Sequence, residues 1–120
     1  MLFRSGSSET FGRLSTGTYF ASGLASSVRG VFSMGRETAS PHYYGEIEYV
    51  TISSQGNSQD FGNLTETQIP DGAGNSIRGI FSGGSNPTYT NFINFLTIAT
   101  TGDALDFGDL TVAKAMAGAV

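Results

Sequence analysis

Two stretches of this chain nearly duplicate each other, and this internal copy limits the possible folds more than any other feature. Residues 47–65, IEYVTISSQGNSQDFGNLT, return 46 positions later as residues 93–111, INFLTIATTGDALDFGDLT, with nine of nineteen residues identical. Upstream of each copy, VRGVFSMG (28–35) returns 49 positions later as IRGIFSGG (77–84), with five of eight identical. A period of this size marks a module that cannot hide its own apolar faces and has to stack on a neighbour. A third fragment, Phe11-Gly12-Arg13-Leu14, aligns with Phe61-Gly62-Asn63-Leu64 and Phe107-Gly108-Asp109-Leu110 at spacings of 50 and 46. The order is thus permuted within a single β-repeat domain, 1–120. It divides into a partial unit over 1–15, repeat one over 16–65, repeat two over 66–111, and a second partial unit over 112–120.

Strands are expected at 18–24, 28–34, 46–53, 61–68, 76–82, 92–100 and 107–113, each rich in β-branched or aromatic residues and bounded by Gly, Pro, Asn or Ser. Residues 110–120 contain the helix-friendly run AKAMAGA, but their place in the repeat matches the strand preceding IRGIF, which favours strand over helix. The expected fold is all-β, with two four-stranded antiparallel units resembling propeller blades. Propellers close with about 4 to 8 blades, and two units left open would expose sheet faces and unpaired edges. Completion by homo-oligomerisation follows, most simply as a trimer with six units.

Composition removes several classes of function. Charged residues make up only 13% of the chain, so much of the surface is expected to meet other protein. The six basic residues form no run and the net charge is −4, which gives no footprint for nucleic acid. There is no cysteine, which excludes disulfides and thiolate metal sites. The opening MLFRSGSSET turns polar after Phe3, and no run approaches the roughly 20 apolar residues of a membrane span. Neither a standard secretion signal nor membrane insertion is expected.

The motifs favour structure over chemistry. Asp60-Phe61-Gly62 and Asp106-Phe107-Gly108 spell the kinase magnesium triplet, yet the one lysine, Lys114, and one histidine, His42, cannot supply the rest of that machinery. The expected role of these triplets is a turn in which Asp accepts backbone N–H groups, Phe fills the space between units and Gly permits the bend. Arg29 and Arg78 occupy equivalent positions and are expected to pair with Asp60 and Asp106 and so fix register. Phe11, Phe61 and Phe107 complete the set of structural repeat positions. Asp103, Asp106 and Asp109 recur every third residue, but that spacing on a strand sends them to alternating faces, so no metal is expected. His42, Tyr43 and Tyr44 lie in the longest divergent loop, RETASPHYYG, and are the candidate partner-contact residues. No nucleophile and base stand at a catalytic spacing, so the expectation is a non-enzyme with no cofactor.

The order of small-residue strand, strand ending in glycines, variable loop and apolar strand resembles the kelch repeat, with Ile80-Phe81-Ser82-Gly83-Gly84 as its apolar pair before diglycine. Gly35 keeps one glycine of that pair where Met34 replaces the other, and Asp106-Phe107-Gly108-Asp109-Leu110 stands where that family usually has Trp. RGIFSGG and INFLTIATTGDALDFGDLT also resemble repeats in virion structural proteins of tailed bacteriophages, especially those of cyanobacteria. That resemblance implies a structural protein of the virion, made in the host cytoplasm, serving as head decoration, tail or fibre component. Its partners would be itself and other virion proteins. The alternative is a small oligomeric lectin or adhesin whose propeller closes from several chains and binds a host-surface glycan.

Overall fold

The alternation of apolar and small residues within each repeat produces short strands that pair with their neighbours in sequence. The computed structural model describes residues 8–15, 17, 22–35, 45–65, 70–84 and 90–112. Repeat one forms β1 (Ser22–Ala25), β2 (Arg29–Ser33), β3 (Glu46–Thr51) and β4 (Gln59–Asn63). Repeat two forms β5 (Asp71–Gly74), β6 (Arg78–Ser82), β7 (Phe92–Thr97) and β8 (Leu105–Asp109). Each set is one antiparallel four-stranded meander, in the orders β1-β2-β3-β4 and β5-β6-β7-β8. The all-β expectation of two four-stranded antiparallel units therefore holds.

Polar side chains set the tight turns. Ser26 Oγ accepts from the Arg29 N–H at 3.1 Å, and Asn75 Oδ1 accepts from the Arg78 N–H at 2.8 Å, closing the β1–β2 and β5–β6 hairpins in the same way. β5 was not among the expected strands. Its sequence, DGAG, has no β-branched or aromatic residue, and it is extended because its backbone pairs with β6 from Asp71↔Ser82 to Gly74↔Gly79.

The Asp-Phe-Gly triplets are not turns, as expected, but parts of β4 and β8. Ile47 pairs with Gly62 while the next residue, Glu48, pairs with Asp60, which leaves Phe61 as the extra residue of a bulge. Ile93, Gly108, Asn94 and Asp106 repeat the pattern around Phe107. A bulge re-aims the side chain it carries. Here it turns the phenylalanine onto the face carrying Tyr49 or Phe95, against which each packs edge to face at ring centroid distances of 5.9 and 6.0 Å.

Strand alternation gives each sheet two faces. The trailing face of the first sheet carries Leu24, Val31, Ile47, Tyr49 and Phe61; the leading face of the second carries Gly79, Phe81, Asn94 and Leu96. These two faces meet, and the core lies between them, with Val31, Ile47 and Phe81 fully buried and Ile98 and Ala104 closing it from the turn that follows β7. At one side β1 lies against β5, close enough that a Cβ on Gly72 would sit 3.2 Å from the Gly23 carbonyl oxygen.

Candidate assembly interface

The junction between the sheets has three parts, each drawn from repeated residues. Apolar contact supplies the first. Phe61 is 2% exposed because the second sheet covers it, and a Cβ on Gly79 would overlap the Leu24 side chain, so glycine leaves the room that Leu24 fills. Fully burying side chains of this size stabilises by about 1.5–3 kcal/mol each.

Backbone pairing supplies the second. The Gly102 N–H donates to the Phe61 carbonyl at 2.7 Å, the Ala104 N–H to the Asn63 carbonyl at 2.8 Å, and the Asn63 N–H to Asp103 Oδ1 at 3.0 Å. The end of β4 is thereby zipped onto the turn of the next unit. This approach is so close that a Cβ on Gly62 would overlap the Gly102 carbonyl.

Buried polar contact supplies the third. Asn94 Oδ1, on a fully buried residue, accepts from the Thr65 hydroxyl at 2.6 Å and the Thr65 N–H at 3.3 Å. Sequence reading passed over this pair. The identity of Thr65 with Thr111, and the polar residues Glu48 and Asn94 at one position of an otherwise apolar strand, were its only traces.

Residues 11–15 repeat the last two parts on the leading face of the first sheet. The Gly56 N–H donates to the Phe11 carbonyl at 3.0 Å, the Ser58 N–H to the Arg13 carbonyl at 2.9 Å, and the Arg13 N–H to Asn57 Oδ1 at 3.1 Å. The Ser15 N–H donates to Glu48 Oε1 at 3.0 Å and the Ser15 hydroxyl to Oε2, while the Ser58 hydroxyl donates to Oε1 at 2.5 Å. Burial pushes the Glu48 carboxyl up, but these hydroxyl and N–H donors outweigh it and hold the group below its ordinary value. What this junction lacks is apolar filling. Between residues 11–14 and the sheet lies a cavity of about 450 Å³ walled by Gly30, Phe32, Val50 and Ile52.

Among the described residues, none covers the trailing face of the second sheet. Phe107 is 57% exposed and Leu105 60%, and Ile80, Ile93 and Phe95 are only half-buried, whereas Val31 and Ile47, the counterparts of Ile80 and Ile93, are at 0%.

The expected Arg–Asp forks do not form. Arg29 stacks over the Tyr49 ring at 4.4 Å from its centroid, and its Nη1 donates to the Ile98 carbonyl at 2.9 Å. Arg78 stacks over Phe95 at 4.7 Å. The reason is the pleat. Arg29 pairs with Thr51 and so shares a face with Tyr49, whereas Asp60 pairs with Glu48 on the opposite face. Asp60 and Asp106 are exposed on their strands, and the N–H acceptors at the unit junctions are Asn57 and Asp103 instead. Phe11 lies at the rim of the cavity, 36% exposed. Among the described residues no group of three or more His, Cys, Asp or Glu is placed to hold a metal ion. His42, Tyr43 and Tyr44 lie outside the described residues, as do residues 113–120.

No protein-family model matches this chain, and a search of curated proteins gives no match.

Proposed function

We propose that this protein is a non-enzymatic structural component of a tailed-phage particle, serving in head decoration, tail or fibre and assembling through sheet and apolar contacts. The observation that carries the assembling role is the contrast between Phe61 and Phe107, 2% and 57% exposed at the same position of the repeat. An apolar surface that the fold covers once and leaves open once is a surface for association. The resemblance of RGIFSGG and its companion segment to virion repeats supplies the setting. Three copies would bring six units together, within the ordinary propeller range of about 4 to 8 blades.

Cryo-EM of phage particles encoding this chain tests the reading. Density on the head, tail or fibre that accommodates two adjacent four-stranded sheets per copy is the expected result. A particle reconstruction with no region fitting the chain would reject it.

A further inference from the structure

We propose that a second copy of this chain docks head to tail on the first. The trailing face of one copy's second sheet seats on the leading face of the other's first sheet, and residues 107–111 of the first take the place now held by residues 11–15 of the second. This rests on the assembling reading above and names the surfaces that perform it.

The chain contains one complete example of the required interface and, elsewhere, both of its halves uncombined. In the complete example Val31, Ile47, Phe61 and Leu64 pack on the second sheet and are buried. Their repeat partners are Ile80, Ile93, Phe107 and Leu110, apolar in every case and none buried. On the receiving side, Gly79, Phe81, Leu96 and Ile98 correspond to Gly30, Phe32, Val50 and Ile52, which wall the 450 Å³ cavity. Bulk is lost at Leu24, which becomes Ala73, and by one methylene at Leu96, which becomes Val50. Arg78 repeats the ring stacking of Arg29 and in the docked pair faces the Ile52 carbonyl, the counterpart of the Ile98 oxygen that Arg29 binds.

The hydrogen bonds transfer in the same way. Gly102, Asp103 and Ala104 serve residues 61–63, and Gly56, Asn57 and Ser58 serve residues 11–13 with the same donors and acceptors. Residues 107–109 make no such bonds among the described residues. Thr111 brings to Glu48 the hydroxyl that Thr65 brings to Asn94. Glycine marks the three equivalent sites. A Cβ would overlap the partner turn at Gly12 and at Gly62, but would meet nothing at Gly108, where the turn is missing.

Exchange is therefore nearly neutral in hydrogen bonds, since residues 107–111 replace bonds that residues 11–15 give up. The net gain is burial of the Phe107 face and filling of the cavity, neither of which residues 11–15 accomplish. Because the two faces differ, the contact is heterologous and each copy offers one of each kind.

Light scattering on the full chain across a concentration series tests this with Phe107→Asp, Ile52→Asp and Gly12→Ala. Phe107 and Ile52 are 57% and 46% exposed, so the charges do not enter the core, and far-UV circular dichroism confirms the strands. Leu105→Asp on the same strand substitutes if Phe107→Asp unfolds.

The native chain is expected to exceed its monomer mass of 12.6 kDa with rising concentration. Each Asp variant should stay at that mass, and their equimolar mixture should double it, because each retains the face the other lacks. Gly12→Ala evicts residues 11–15 and should associate at lower concentration. A native chain that remains monomeric, an Asp variant that associates like the native chain, a mixture no heavier than its parts, or weaker association of Gly12→Ala would overturn the proposal. A chain that self-associates in this manner but is missing from particles would reject only the virion setting, and a monomeric chain found in particles would reject only the docking.

Discussion

Arg29 spans the junction between the sheets, donating from Nη1 to the Ile98 carbonyl oxygen while its guanidinium lies flat on Tyr49. Arg78 makes the same stack on Phe95 but is exposed. Arg29→Ala should lower stability by about 1–2 kcal/mol, through loss of a charged hydrogen bond and a partly desolvated cation–π contact. Arg78→Ala, in dilute solution, should stay within about 0.5 kcal/mol of the native chain. Urea unfolding midpoints at low protein concentration compare the two, and equal losses would contradict the asymmetry.

Phe61 and Phe107 offer the same comparison in apolar terms. Phe61→Ala opens a cavity in the core and should cost about 3–5 kcal/mol. Phe107→Ala removes an exposed ring and should cost under about 1 kcal/mol in the monomer. Thermal unfolding of each variant, followed at the same low concentration, is the check.

Gly62 has no room for a side chain, since its added carbon would run into the backbone of Gly102. Gly62→Ala should therefore part β4 from the next turn, and in amide exchange the Gly102 and Ala104 protons should lose protection. Gly30→Ala places its carbon 3.4 Å from Val50 Cγ2, an ordinary contact, and should leave those protons unchanged.

Glu48 makes the attachment of residues 11–15 depend on pH. Its carboxyl is held below the ordinary 4.5 in the folded chain, so the folded state binds fewer protons than the unfolded one. The stabilisation is present above that ordinary value and disappears as the pH falls through the lower folded one. Protection factors of the Gly56 and Ser58 amides should thus fall on acidification below about pH 4.5. Glu48→Gln should remove this pH response.

The repeat made the two four-stranded units, seven of the eight strands and the filling role of Phe61 legible in the sequence alone. β5 escaped because pairing with β6, not side-chain preference, extends DGAG. The Asp-Phe-Gly triplets read as turns because Asp and Gly usually signal one, yet a bulge inside a strand needs the same residues. The Arg partners were misjudged because spacing along the chain does not reveal which side of the pleat a residue occupies. Only register places Arg29 with Tyr49 and Asp60 away from it. The pairing of Ser15 with Glu48 and of Thr65 with Asn94 joins residues 33 and 29 positions apart, a distance at which a polar residue in an apolar strand carries no label for its partner.

Gly23 and Gly72, where β1 runs beside β5, have one more implication. With no side chain on either, the main chains draw together along that line, while at the other edge backbone hydrogen bonds pin β4 to the turn after β7. Side-chain volume at this seam therefore governs the dihedral between successive sheets. Enlarging it would pry the modules open like pages at the spine and alter the curvature of any array built from them.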